Sequence, residues 1–236
     1  MNIQPIEKLV PNRNGFFEVH SIFKTIQGEG PFCGTPAIFI RLAGCNLQCP
    51  QCDTDYTSKR QTMSVGDLLA ACTSYDGQNP GLVVITGGEP FRQHIGQLIG
   101  ILVGYGFYVQ IETNGTLPPP PEVVWSKQPH QRKGAYIVCS PKAGRINTIT
   151  EREACCFKYV MSHDSVGSDG LPVHVLSHGA HPTVARAVFR GRPIYLQPAD
   201  AHDAGENKLN NQAVVESCLK FGYNLQLQIH KFLGVE

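Results

Sequence analysis

The sequence predicts an α/β fold, an incomplete (modified) TIM-like β/α barrel with parallel strands, on three observations. Short apolar runs rich in β-branched residues recur along the chain, helix-spaced segments lie between several of them, and polar or glycine-rich motifs follow their C-terminal ends. Continuous apolar strands suit a parallel sheet covered on both faces. Strands alternating with helices imply right-handed βα units.

The strands are expected, in order, at Ala37–Leu42, Leu82–Thr86, Phe107–Glu112, Ala135–Ser140, Cys156–Met161, Pro193–Gln197 and Leu225–Ile229. Helices are expected at Ser64–Cys72, where a serine caps an apolar face of Leu68, Leu69 and Cys72, and at Phe91–Val103 and Asn210–Phe221. The four consecutive prolines within Leu117–Pro121 make a stiff surface link. Residues 1–17 read as an N-terminal arm and 18–236 as a single domain, with a loop-rich insertion around 162–192. With 42% hydrophobic residues in 236, the chain is long enough to bury one substantial core.

Charge excludes some partners. A net charge of +1 gives no bulk attraction for nucleic acid or an anionic membrane. No run approaches the roughly 18 apolar residues of a spanning helix, and the first residues carry no apolar leader pattern. Nine cysteines, an odd number without a leader, point to a reducing cytoplasm and not to disulfides.

Three of those cysteines carry the chemistry. Gly44-Cys-Asn-Leu-Gln-Cys-Pro-Gln-Cys-Asp53 sets Cys45, Cys49 and Cys52 in a C-x3-C-x2-C loop with no fourth partner nearby. Structural zinc takes four ligands in a closed tetrahedron. An iron–sulfur cubane accepts thiolates from such a loop and, with three, keeps one iron open. The plain alternative is a set of buried core thiols, which Gly44 and Pro50 disfavour by marking a loop. Cys72, Cys139, Cys155, Cys156 and Cys218 lie in apolar stretches and read as core thiols; Cys33, in a Gly/Pro loop, has no ligand spacing.

The other motifs follow strand ends: Gly87-Gly-Glu-Pro90, Glu112-Thr-Asn-Gly115, Ser140-Pro-Lys142 and Gln197-Pro-Ala-Asp200. In parallel β/α architectures that rim binds ligands. Glycine pairs there let a ligand approach the backbone closely. His174, His178 and His181 cluster without a metal-binding frame and read as loop histidines, and Asp200, His202 and Asp203 read as part of an Asp/Gly-rich loop.

A cluster loop followed by a Gly-Gly-Glu-Pro strand end resembles the radical S-adenosylmethionine (SAM) enzymes. A closer resemblance runs through Phe23-Lys-Thr-Ile-Gln-Gly-Glu-Gly30, Pro36-Ala-Ile-Phe-Ile-Arg-Leu-Ala-Gly-Cys45, Cys52-Asp-Thr54, Thr86-Gly-Gly-Glu-Pro90, Ile111-Glu-Thr-Asn-Gly115, Ser140-Pro-Lys142, Leu196-Gln-Pro198 and Gln228-Ile-His-Lys231. In that order these are similar to the 7-carboxy-7-deazaguanine synthase family of queuosine biosynthesis. The resemblance covers most of the chain from residue 18.

It implies a lyase that turns 6-carboxy-5,6,7,8-tetrahydropterin into 7-carboxy-7-deazaguanine with loss of ammonia, in queuosine/7-deazapurine biosynthesis, with tRNA modification and another deazapurine pathway both open as destinations of the product. It implies a [4Fe-4S] cluster on Cys45, Cys49 and Cys52, SAM on the open iron, and Mg2+ on Thr54. Cofactor contacts are implied at Gln51, Asp53, Gly88, Ser140, Lys142 and Gln197, and substrate contacts at Ile26, Gln27, Gly28, Glu29, Arg41, Thr86, His230 and Glu236. No protein side chain is expected to be catalytic, because the radical comes from SAM. Within that frame Gln27, Gly28 and Glu29 offer donors and acceptors to a pterin edge, and Arg41 and charged His230 suit a carboxylate. Gln51 departs from the superfamily, where an aromatic residue packs beside the adenine. A homodimer is also implied by the resemblance, and an electron donor such as a flavodoxin is expected.

Two alternatives remain at this stage. One is an activating enzyme that makes a glycyl radical on a protein partner. The other, of a different class, is a zinc-stabilised binding module.

Overall fold

The computed structural model of the protein describes residues 2–12, 14–50, 52, 54–74, 81–174, 183–188 and 191–235. Among the described residues, one nine-stranded sheet organises the chain. In chain order its strands are β1 (Phe16–Ile26), β2 (Pro36–Leu42), β3 (Gln61–Ser64), β4 (Leu82–Gly87), β5 (Tyr108–Thr113), β6 (Gly134–Cys139), β7 (Ala154–Met161), β8 (Ile194–Pro198) and β9 (Asn224–Leu225). The spatial order is β3-β1-β2-β4-β5-β6-β7-β8-β9, so the sheet is open at both ends. From β2 to β9 every pairing is parallel, whereas β1 runs antiparallel to both β2 and β3. This is the incomplete barrel expected of the strand pattern.

Helices α1 (Val65–Thr73), α2 (Gly96–Gly104), α3 (Thr148–Glu153), α4 (Ala204–Phe221) and α5 (Ile229–Leu233) complete the fold. Ser64 caps α1 as its sequence suggests. Its hydroxyl accepts from Asp67 N while the Asp67 carboxylate accepts from Ser64 N, a reciprocal capping box.

Two apolar layers line the two faces of the sheet. The larger joins Ile38, Ile40, Val83, Ile85, Val109, Ile111 and Ile137 to residues of α1 and α2. Their neighbours in sequence, Ala37, Val84, Tyr108, Tyr136 and Val138, pack with Phe32, Cys155 and Cys156 in a second cluster. Because strand side chains alternate faces, the continuous apolar runs serve both layers at once. Further along, the face of the second cluster turns polar, with Gln110 and Glu112 following Tyr108 at every second position of β5.

Four expectations need correction. Neither β1 nor β3 is among the strands expected from the sequence; His20, Ser21 and Lys24 interrupt the apolar run of β1, but pairing on both edges, to β2 and to the short β3, makes it a sheet member. Leu225–Ile229 is strand only at Asn224–Leu225 and becomes helix from Ile229. The chain turns there because Gln226 is drawn inward: its Oε1 accepts from Gly30 N at 2.6 Å and its Nε2 donates to Gln197 Oε1 at 3.1 Å. Phe91–Val103 is not one helix; Pro90–Arg92 forms a 3-10 turn and α2 starts only at Gly96. Gln93 breaks the run by spanning Glu18, accepting from its N at 2.8 Å and donating to its O at 2.9 Å. Finally, α4 starts six residues before the expected Asn210. Asp203 is its N-cap, accepting from Glu206 N at 2.9 Å, rather than a plain loop residue.

Cys72, Cys139, Cys155 and Cys156 are buried core thiols, Cys218 is half-buried, and no cysteine is in a disulfide. No described helix is long and apolar enough to cross a membrane.

Candidate active site

The cysteine loop leaves the C-terminal end of β2. Cys45 is buried, Cys49 and Cys52 are half-buried, and the charges of all three act on one another and on Tyr56. They therefore occupy one small volume. Burial pushes the Cys45 thiol up to about 12, a hydrogen bond from Leu47 N opposes this, and Glu89, Cys49 and Cys52 reinforce it. Burial also raises Cys49, against the pull of the Lys142 ammonium. Lys142 thus partly offsets the burial of Cys49, whose thiol stays above its ordinary value. Metal ligation requires thiolates, so iron bound at these cysteines would displace their protons.

Among the described residues no three His, Cys, Asp or Glu side chains converge as a single-ion site requires. A cubane asks less convergence, since each thiolate takes its own iron. Three soft donors on one loop, with Lys142 at hand, fit a [4Fe-4S] cluster with one iron left to a further ligand.

Gly87 and Gly88 at the end of β4 sit directly on this loop. A Cβ on Gly87 would lie 2.1 Å from Leu42 O, and one on Gly88 would lie 2.0 Å from Gly44 O and 2.9 Å from Cys45 Cβ. The glycine pair is therefore demanded by backbone packing against the cluster loop, which adds to the ligand-approach role read from sequence. Glu89 is fully buried beside it. Its carboxylate accepts from Thr113 Oγ1 at 2.8 Å, Asn114 N at 2.8 Å and Phe91 N at 3.0 Å, tying the ends of β4 and β5 together. Burial outweighs those donors and pushes its pKa up to about 7.

Beside the loop, the polar end of the sheet forms a cradle. Gln27 Nε2 donates to Glu112 Oε1 at 3.0 Å, Gln110 Nε2 donates to the same oxygen at 3.0 Å, and Thr86 Oγ1 donates to Glu112 Oε2 at 3.3 Å. Two residues beyond Gln27, whose Oε1 accepts from Glu29 N at 3.2 Å, Glu29 Oε2 pairs with Lys158 of β7, and Gln228 Nε2 donates to Glu29 Oε1 at 2.8 Å. Burial works against ionisation of Glu29, but Lys158, Gln228 and His230 together outweigh it and hold the carboxyl below its ordinary range. Gly28 faces His230 so closely that a Cβ would meet its Nδ1 at 2.2 Å. Arg41 lies beside Thr86 in the β2–β4 ladder, with its guanidinium 5.0 Å from the centre of the Phe23 ring.

Of the residues singled out from sequence, Gln27, Gly28, Glu29, Arg41, Thr86 and His230 thus line one region, with Ile26 at its edge closing the β1–β2 hairpin opposite Pro36. Gly88 and Lys142 adjoin the cysteines. Buried Gln197 receives Gln226, and Ser140 Oγ is buried without a hydrogen-bond partner while its N donates to Thr113 O at 2.8 Å. Thr54 follows the third cysteine, its carbonyl accepting from Gln4 Nε2 at 2.9 Å. Gln51, Asp53 and Glu236, together with His178 and His181, lie outside the described residues. His174 pairs with Thr183 in an isolated bridge.

Sequence reading assigns no role to Lys158 or Gln226, and it holds Glu112 and Gln228 only as members of motifs, without a site role. A lysine inside the otherwise apolar run of β7 was the available signal, since a buried lysine requires a partner.

No family model matches the chain. The 7-carboxy-7-deazaguanine synthase of Rhodospirillum rubrum is 40% identical over 226 residues, covering 92% of both chains. The chain belongs to the 7-carboxy-7-deazaguanine synthase family. The Rickettsia prowazekii synthase is 39% identical over 93% of this chain and 88% of its own. A crystal structure of QueE from Escherichia coli superposes with a TM-score of 0.67 at 26% identity, over 90% of this chain and 93% of that one. As a 7-carboxy-7-deazaguanine synthase-family chain it is a radical SAM lyase of queuosine biosynthesis, with a [4Fe-4S] cluster and SAM as cofactors.

Proposed function

We propose that this chain converts 6-carboxy-5,6,7,8-tetrahydropterin to 7-carboxy-7-deazaguanine, with the cradle around Glu29, Lys158, Glu112 and His230 as the pterin site. The observation that carries this is the meeting of the Gln27-Gly-Glu29 segment with His230 and Lys158 beside the three-cysteine loop. When bound, the cluster and SAM supply hydrogen-atom abstraction from a substrate carbon.

The chain's own residues bind and orient. Glu29, kept ionised by Lys158, offers acceptor oxygens to the amino-pyrimidine edge. Gln27 and Glu112 present an amide and a carboxylate to the same flat ring. Arg41 supplies positive charge for the substrate carboxylate, and His230 offers a ring N–H to it. Cys45, Cys49 and Cys52 hold the cluster, while Gly88, Ser140, Lys142 and Gln197 border SAM together with Gln51 and Asp53. Lys142 would pair with the SAM carboxylate. Thr54 offers a hard hydroxyl oxygen for Mg2+, which commonly keeps several waters and shares substrate oxygens. The same proposal has Glu236 reach the substrate, a homodimeric assembly, a flavodoxin-like electron donor and a cytoplasmic location.

The test is anaerobic incubation of the reduced, cluster-loaded protein with SAM and carboxytetrahydropterin. The ultraviolet absorption and mass of the deazapurine are expected, with one ammonia per product. Absence of product would defeat the proposal. Activity of Thr54→Ala that is weakened and partly restored by raised Mg2+ supports the metal assignment.

A further inference from the structure

The N-terminal arm is built onto the cluster loop. Asn2 N donates to Pro50 O at 3.0 Å and Asn2 Nδ2 to Cys49 O at 3.1 Å. Gln4 Nε2 donates to Thr54 O at 2.9 Å, while Gln4 Oε1 accepts from Tyr56 N at 2.8 Å. Ile6 forms a parallel bridge with Cys45, and Glu7 N donates to Cys45 O at 2.7 Å. Among the described residues, the loop's own backbone bonds are Cys52 N to Cys49 O at 3.1 Å and Gly44 N to Tyr56 O at 2.8 Å. An irregular loop must satisfy its polar groups somewhere, and here the arm meets carbonyls at two of the three cysteines and at Thr54.

The arm is itself anchored. Buried Arg92, two residues past Pro90, donates from Nη1 to Lys8 O at 2.7 Å and from Nη2 to Ala43 O at 2.9 Å and Glu18 Oε2 at 3.1 Å. Glu7 joins the same cluster through Arg92 at 3.3 Å and through Arg60. Val10 N donates back to Arg92 O at 2.8 Å. Gly44 makes room for this guanidinium, because a Cβ there would stand 2.1 Å from Nη2. One arginine thus fixes the start of the cysteine loop and the arm that closes over it.

We propose that residues 2–10 are a positioning strap for the cluster loop, in which Asn2 and Gln4 hold the Cys49 and Thr54 segments in place and slow the loss of iron from the three cysteines. At Cys45 and Cys49 the strap meets backbone carbonyls and not the thiols, so it sets the spacing of the ligands without supplying one. Local opening of a loop rises when its tethering hydrogen bonds are removed, while the rest of the fold keeps its protection. The proposal rests on the reading of Cys45, Cys49 and Cys52 as cluster ligands.

Two measurements on the Asn2→Ala/Gln4→Ala double variant test it. In cluster-free protein, hydrogen–deuterium exchange of residues 44–58 should rise about tenfold or more, with β4, β5 and β6 unchanged. In cluster-loaded protein, the rate of iron release to a ferrous chelator should rise by a similar factor. Gln4→Glu, which keeps the acceptor for Tyr56 N and loses the donor for Thr54 O, should fall between. Ile3→Ala, with a side chain 89% exposed, should match wild type in both. Unchanged exchange in the double variant would overturn the strap, as would faster exchange spread evenly over the sheet or iron release at the wild-type rate. Failure of the wild-type protein to take up iron and sulfide would instead defeat the cluster reading, and the exchange measurement would still decide the strap.

Discussion

Lys158 on β7 and Glu29 in the turn after β1 form a buried ion pair across 129 residues of sequence. Both side chains are almost withdrawn from solvent, and each satisfies a charge the other could not leave alone. Breaking such a pair from one side strands a buried charge, at about 3–5 kcal/mol. Lys158→Met should lower the unfolding free energy by about that amount, read from urea denaturation of the cluster-free protein. The Lys158→Met/Glu29→Gln double variant should recover most of the loss. A double variant no more stable than Lys158→Met would mean the pair is not the cause.

The same pair gives the fold a pH dependence of known sign. Glu29 has a folded pKa below its ordinary 4.5, so the folded state binds its proton less readily than the unfolded chain. Its contribution to stability is complete above that ordinary value and disappears as pH falls through the lowered one. Acid unfolding of Glu29→Gln should therefore show a shallower loss of stability below about pH 4.5 than wild type. Equal slopes would show that Glu29 titrates normally in the folded protein.

Gly88 and Gly100 make a matched comparison. At Gly88 an added methyl would be driven into the Gly44 carbonyl at 2.0 Å, whereas at Gly100, inside α2, it would meet nothing within 4 Å. Gly88→Ala should displace the cysteine loop and lower the iron and sulfide bound per chain after reconstitution. Gly100→Ala should raise the stability by about 0.5–1 kcal/mol and leave cluster content unchanged. Full cluster content in Gly88→Ala would show that the two strand ends are not in the contact described.

Gly28→Ala addresses the cradle from its other side. The new methyl would occupy the position of the His230 ring, which then has to swing away. Stability should change little, because a half-buried side chain near the C-terminus can relocate. KM for the pterin should rise at least severalfold with a smaller change in kcat. An unchanged KM would remove His230 from the substrate site.

Much of this was legible in the chain because strand ends are punctuated by residues with few conformational substitutes. Cys45, Gly87, Gly88, Asn114 and Pro141 sit where apolar runs stop, so the rim of the sheet could be read in order. Lys158 was hidden inside an apolar run, and its partner is too distant in sequence for any local spacing to show. Glu112 belonged to a visible motif, but its role depends on Gln27 and Thr86, which only the folded sheet brings to it. Asn2 and Gln4 form no motif; their meaning lies in backbone carbonyls, which sequence does not display. The glycine pair was read as room for a ligand. The fold adds a nearer reason, the contact of Gly87 and Gly88 with Leu42 and Gly44.

The assignment of the cradle to the pterin is tested most directly by substrate affinity. Carboxytetrahydropterin would be titrated into cluster-loaded, SAM-bound wild type and into Lys158→Met, folded at a temperature where both are native. The Kd should weaken by about tenfold or more in the variant, as loss of a charged partner at the site demands. Equal affinities in the two proteins would contradict the placement of the substrate against Glu29 and Lys158.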